Sequence, residues 1–161
     1  MKKIISICTA ILVSTIAFAQ QGKEFYNRYA GKNGVDAVYI SPEMFALIKS
    51  IPDINVEGKD VDLGKVIKTL DGMYILDIEN EKIAGELSAD ISRMTSEKRF
   101  ELLMETVEGD GTSMRIYIVR KQDIVTDLLM HVREKGSASV ISISATMPFE
   151  DLKKLLAGAI D

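Results

Sequence analysis

Apolar residues along this chain follow two different periods, and the switch between them falls at Arg99. Before it, short β-branched runs alternate with stripes at helical spacing. "VDAVYI", Val35 to Ile40, reads as a strand. Ser41-Pro42-Glu43 then opens a helix: Ser41 can cap it, Pro42 suits its first position and Glu43 favours its positive end. That helix would bury Met44, Phe45, Leu47, Ile48 and Ile51 and stop at Pro52. A second short helix is predicted from Asp62 to Leu70, with Leu63, Val66, Ile67 and Leu70 on one side. Asp71-Gly72 is expected to turn the chain into "MYILDI", Met73 to Ile78, as another strand. Asn80 can cap a longer helix whose Ile83, Leu87, Ile91 and Met94 form the clearest helical stripe in the chain.

After Arg99 the period becomes two. Strands are predicted at Phe100 to Val107, Met114 to Lys121, Ile124 to Arg133 and Ser139 to Met147. Glu108-Gly109-Asp110-Gly111 joins the first pair and Lys135-Gly136 the last, both hairpin signals that force antiparallel neighbours. Pro148 opens a closing helix with Phe149, Leu152, Leu155 and Leu156 available to the sheet. The expected fold is α+β: a largely antiparallel sheet with a C-terminal four-stranded meander, and helices packed on one face.

Alternation also suggests which face is covered. Phe100, Leu102, Met104, Met114, Ile116, Ile118, Ile124, Leu128, Met130, Val132, Ile141, Ile143, Ala145 and Met147 make a consistent inner set. The opposite set is mixed. It holds Glu101, Glu105, Arg115, Asp127, His131 and Arg133, but also Leu103, Val107, Tyr117, Val119, Val125, Leu129 and Val140. Two accounts fit such a face: β-branched and aromatic residues sit well on exposed strands or under a loop, or the face meets a partner. The second account makes Tyr117, Leu129, Val119, Arg115 and His131 a candidate partner surface.

The segment ahead of the first strand changes the picture by placing the protein. Lys2 and Lys3 precede an uncharged run from Ile4 to Phe18 and then Ala17-Phe18-Ala19, the order of a secretory signal peptide. The run is shorter than the roughly 20 residues of a membrane-crossing helix, so cleavage after Ala19 and a periplasmic or secreted protein are expected. Cys8 has only seven residues before it, too few for the basic and apolar regions of a lipoprotein signal. The organisation expected is residues 1–19 as signal, 20–34 as a polar segment in which Phe25 and Tyr29 could form one side of a short helix, and 35–161 as a single domain.

Removing residues 1–19 takes away two lysines and no acid, leaving 18 basic and 24 acidic residues, a net charge of −6. Such a chain without a basic run is a poor partner for nucleic acid. Cys8 is the sole cysteine, so the exported chain would have neither a thiol nucleophile nor a Cys/His zinc site. His131 is the sole histidine, set mid-strand, where a histidine without catalytic duty is expected. No serine stands in a G-x-S-x-G elbow, and no phosphate-cradling glycine motif occurs. "DINVEG", Asp53 to Gly58, resembles the start of a calcium loop, but the twelfth position is Gly64 where a bidentate Glu is needed, so it reads as a polar loop. The methionines at 94, 104, 114, 130 and 147 read as core filling. No catalytic residue, metal site or cofactor is expected.

The order of elements, together with "VYISPEMFALIKSI" (Val38 to Ile51), "YILDIEN" (Tyr74 to Asn80), "FELLMETVEGDGTSMRIYIVRKQDIVTDLLMHV" (Phe100 to Val132) and "MPFEDLKKL" (Met147 to Leu155), resembles the exported Bacteroidetes proteins grouped as domain of unknown function 4252. The resemblance runs from about Phe25 to Leu156. It brings no catalytic or binding residues with it. It implies lipoprotein anchoring, which Cys8 does not support, and genes near alternative sigma factors, which would suit a regulatory or envelope-stress role. The function expected is a non-enzymatic binding module with an envelope protein as partner; the alternatives are a small envelope hydrolase or ligand-binding enzyme using acids and His131, and a component of a regulatory circuit.

Overall fold

The computed structural model describes residues 20–50 and 63–158. The signal region, the calcium-loop-like string and Ile51-Pro52 lie outside the described residues. The described elements are α1 (Gln20–Tyr29), β1 (Val35–Ile40), α2 (Pro42–Lys49), α3 (Leu63–Thr69), β2 (Leu70–Ile78), α4 (Glu81–Thr95), β3 (Phe100–Val107), β4 (Ser113–Lys121), β5 (Ile124–Glu134), β6 (Ser137–Pro148) and α5 (Phe149–Gly158). They form an α+β fold on one six-stranded antiparallel sheet of order β1-β2-β6-β5-β4-β3.

Local chemistry sets the boundaries. Ser41 accepts a hydrogen bond from the Met44 amide at 3.2 Å and starts α2, and Asn80 does the same for the Ile83 amide at 3.1 Å to start α4. The β5–β6 turn needs a left-handed residue, and Gly136 supplies it with φ +85°. Asp71-Gly72, expected as a turn, instead lies inside β2 as a bulge, because the ladder with β6 already begins at Leu70. Asp71 is held there by Lys49 Nζ at 3.0 Å and Thr146 Oγ1 at 2.9 Å.

The helices divide between both faces of the sheet instead of sharing one. On the upper face, α4 carries the chain from β2 across the sheet to the far edge, where β3 begins, and α1 packs beside it. Phe25, Tyr29, Leu87 and Ile91 bury there against Leu76, Ile78, Leu129, Ala138 and Val140. Each such large apolar side chain contributes about 1.5–3 kcal/mol on leaving water. On the lower face, α3 and α5 cover one end only, closing Val66, Leu152, Phe149 and Leu156 over Ile118, Leu128, Val125, Ala145 and Met147. Neighbours such as Leu128 and Leu129, or Tyr117 and Ile118, thus serve opposite cores.

Beneath α1 and α4 the expected inner and outer sets are therefore exchanged, whereas Ile118, Leu128, Ala145 and Met147 of the expected inner set are interior under α3 and α5. Leu129, Val140 and Tyr117, assigned outward, lie under α1 and α4. Two bulges add to this by reversing parity within a strand. One between Leu102 and Met104 sends Met104 to the opposite face from Leu102, and one between Val125 and Asp127 moves Val125 onto the face of Leu128.

Candidate functional site

The five residues of the candidate partner surface belong to the upper face, beneath helices. Val119, Leu129 and His131 are buried, and Tyr117 packs against the α1/α4 core. Arg115 is partly exposed and bonds Glu105 through its Nε at 2.6 Å. With Val119, Leu129 and His131 buried, the five residues do not form a continuous exposed surface.

His131 is 4% exposed, and its Nε2 shares a hydrogen bond of 3.2 Å with the hydroxyl of Ser88 on α4. Burial pushes its pKa down to about 4, and the positive charges of Arg115 and Arg133 add to the effect, so the ring is neutral at pH 7. A neutral imidazole held by a buried hydroxyl joins helix to sheet, and no reacting atom has access to it. Ser88 was not singled out by the sequence pattern; its place beside Leu87, on the buried side of the α4 stripe, was the available signal.

A second polar join ties α1 to α4. The hydroxyl of buried Tyr29 donates to Asp90 Oδ2 at 2.8 Å, and Arg28 pairs with the same oxygen. Burial works to raise the Asp90 carboxyl, but the Tyr29 and Arg28 hydrogen bonds outweigh it and hold it below its usual value. Burial, helped by Asp90, pushes the Tyr29 hydroxyl up to about 12. Near the β1 edge, Tyr39 and Tyr74 stack with ring centroids 4.6 Å apart, and Tyr26 leans on both. These groups fasten the upper helices to the sheet.

Among the described residues, one continuous apolar row of the lower face lies beyond α3 and α5. The registers align Val38, Ile75, Ile141, Met130, Ile116 and Met104 as direct partners across all six strands. This apolar ladder belongs to neither buried core: its four central members are half-buried, Val38 is 48% exposed and Met104 is also exposed. Among the described residues α3 and α5 stop one row short of it, over Leu128 and Ile118. On its far side the charged strand residues of the lower face are Asp36, Asp77 and Glu134, all exposed and acidic. Asp36 and Asp77 are direct cross-strand partners, an arrangement in which like charges repel. Asp77 accepts from Ser139 Oγ at 2.7 Å.

Among the described residues no group of His, Cys, Asp and Glu is placed to hold a metal, and no helix is long and apolar enough to cross a membrane. The chain belongs to the family described as domain of unknown function (DUF4252), whose profile matches residues 26–155. No protein of curated function matches it. The chain is also similar to the crystal structure of a protein of unknown function, PA94, from Pseudomonas aeruginosa, at 8% identity and a TM-score of 0.32, over 78% of this chain and 76% of that one.

Proposed function

We propose that this protein is a non-enzymatic binding module exported to the cell envelope, and that its contact surface is the bare lower-face ladder. The observation that carries the reading is the six-strand apolar row left half-open beside a helix-covered end. A folded protein ordinarily keeps such a band covered or uses it for contact. Export is supported by the signal-like order of residues 1–19. The hydrolase alternative loses its base, because His131 is spent inside the helix–sheet core.

Photo-crosslinking residues placed singly at Val38 and Met104 in living cells test the contact, with Glu86 on the outward side of α4 as control. The reading expects one discrete adduct from both ladder positions and none from Glu86, and it fails if the ladder positions give no adduct. Sequencing the N-terminus of the accumulated protein tests export, with Gln20 as the expected first residue.

A further inference from the structure

An asparagine or aspartate stands directly before a glycine at three places: Asn33-Gly34, Asp71-Gly72 and Asp110-Gly111. A glycine there leaves its main-chain nitrogen free to approach the preceding side-chain carbonyl carbon, because no Cβ crowds the path. The approach is open only where neither group is already engaged. Two of the pairs are engaged. Asp110 Oδ1 accepts from the Thr112 amide at 2.8 Å, and the Gly111 amide donates to the Glu108 carbonyl at 3.1 Å. Asp71 lies within β2, its Oδ1 3.0 Å from Lys49 Nζ and its Oδ2 2.9 Å from Thr146 Oγ1.

Asn33-Gly34 differs on both counts. It forms the middle of the turn between α1 and β1, which the Val35 amide closes by donating to the Lys32 carbonyl at 3.2 Å. Gly34 has φ +77° and Asn33 a negative φ, the pattern of a type II turn with glycine in its third place. The central amide of such a turn lies outside the closing hydrogen bond. Among the described residues the Gly34 N–H and the Asn33 carboxamide have no hydrogen-bond partner, and both residues are exposed. Asn27 and Asn80 lack this setting: Asn27 precedes Arg28 inside α1, and Asn80 precedes Glu81 with its side chain on the Ile83 amide.

We propose that Asn33 is a site of self-modification, at which the Gly34 nitrogen converts the Asn33 carboxamide to aspartate and isoaspartate. Hydroxide takes the Gly34 amide proton, and the nitrogen attacks Cγ of Asn33. The carboxamide C–N bond breaks, ammonia leaves, and a five-membered succinimide remains. Water then opens the ring. Cleavage of the new bond from Gly34 N to Cγ gives aspartate on an unchanged main chain. Cleavage of the original peptide bond leaves the chain running through Cβ and Cγ, one atom longer, which is isoaspartate. Both products add a carboxylate to an already acidic chain. Only the second disturbs the fold. The Gly34 carbonyl accepts from the Glu79 amide at 3.0 Å, and a Cβ on Gly34 would stand 3.3 Å from Cβ of Asn80, the residue that caps α4. An extra main-chain atom there acts on the start of the β1–β2 ladder and on that cap together.

Peptide mapping by mass spectrometry tests this on the folded protein, incubated from neutral to mildly alkaline pH. The peptide carrying Asn33 should gain about 1 Da, faster in proportion to hydroxide, and should accept methyl groups from an isoaspartyl methyltransferase used as reagent. Peptides carrying Asn27 and Asn80 should keep their mass, and Asp71 and Asp110 should yield no isoaspartate. Asn33→Gln, whose side chain would have to close a six-membered ring, should lose the signal. The isoaspartyl protein should melt below the starting protein, whereas Asn33→Asp, with the charge but not the longer chain, should melt with it. An Asn33 that survives in the folded protein while the same chain in urea converts overturns the proposal, since the turn then protects it. Survival in both does so too, as does isoaspartate formed equally at Asp110.

Discussion

The upper and lower faces of one sheet are built from the same kinds of residue and end in different states. The upper face is closed over its middle by α1 and α4, with Tyr39, Leu102 and Val107 left exposed towards its edges, and its polar groups are paired inside: His131 with Ser88, and Tyr29 with Asp90. The lower face is closed over one end and leaves a row of Val38, Ile75, Ile141, Met130, Ile116 and Met104 half-open. β-branched strand residues alone do not make a core. A face becomes interior where a helix of sufficient length is delivered to it, and α4, with 15 residues, crosses what α3, with seven, does not.

The comparison is broken most directly at Leu87, which is fully buried on α4 against the upper face. Leu87→Ala should cost about 2–5 kcal/mol in stability, read from the shift of a urea midpoint, by loss of transfer energy together with the cavity left behind. A cost as small as that of a lower-face ladder substitution would erase the distinction between the faces.

His131 sharpens the comparison through pH. Its pKa falls from about 6.5 in the unfolded chain to about 4 in the fold, so between these values the unfolded state binds more protons. The stabilisation is present in full above pH 6.5 and is lost as pH falls towards 4, by up to about 3 kcal/mol. Urea midpoints measured from pH 7.5 to 4 should decline more steeply for the wild type than for His131→Gln; parallel curves would mean that the ring is solvated in the folded protein.

Gly22 tests how closely α1 lies on the upper face. A Cβ there would stand 2.7 Å from Ser142 Oγ and 2.8 Å from Tyr74 Cδ2. In an open helix Gly→Ala is stabilising by about 1 kcal/mol. Here Gly22→Ala should instead destabilise by about 1–3 kcal/mol through overpacking, and Ser142→Gly should restore part of the loss. A stabilised Gly22→Ala protein would show that α1 sits further from the sheet.

The smallest effect is expected on the lower face. Val38→Ser removes an exposed side chain from an edge strand and should change the stability of the fold by no more than about 0.5 kcal/mol in thermal unfolding. A loss several times larger would place Val38 in a core.

The sequence by itself determined the elements, because their signals are local. The Ser41 and Asn80 caps, the α4 stripe, the Gly111 and Gly136 turns and the period-two runs after Arg99 each act within a few residues, and the strands and helices fall where those signals stand, Asp71-Gly72 within β2 being the exception. The family resemblance was legible for a similar reason: it is the order of those elements along the chain. Which face of the sheet became interior was decided only by tertiary structure. An alternating strand offers two apolar-capable sides, and the choice between them depends on where α4 crosses, a contact between residues as distant as Ser88 and His131. The bulges near Leu103 and Thr126 are equally invisible to a period of two, since one inserted residue reverses every side chain beyond it. The candidate surface moved from one face to the other for that reason. The same chemistry, β-branched and apolar residues on alternate positions, makes a core where a helix covers it and stays half-exposed where, among the described residues, none does.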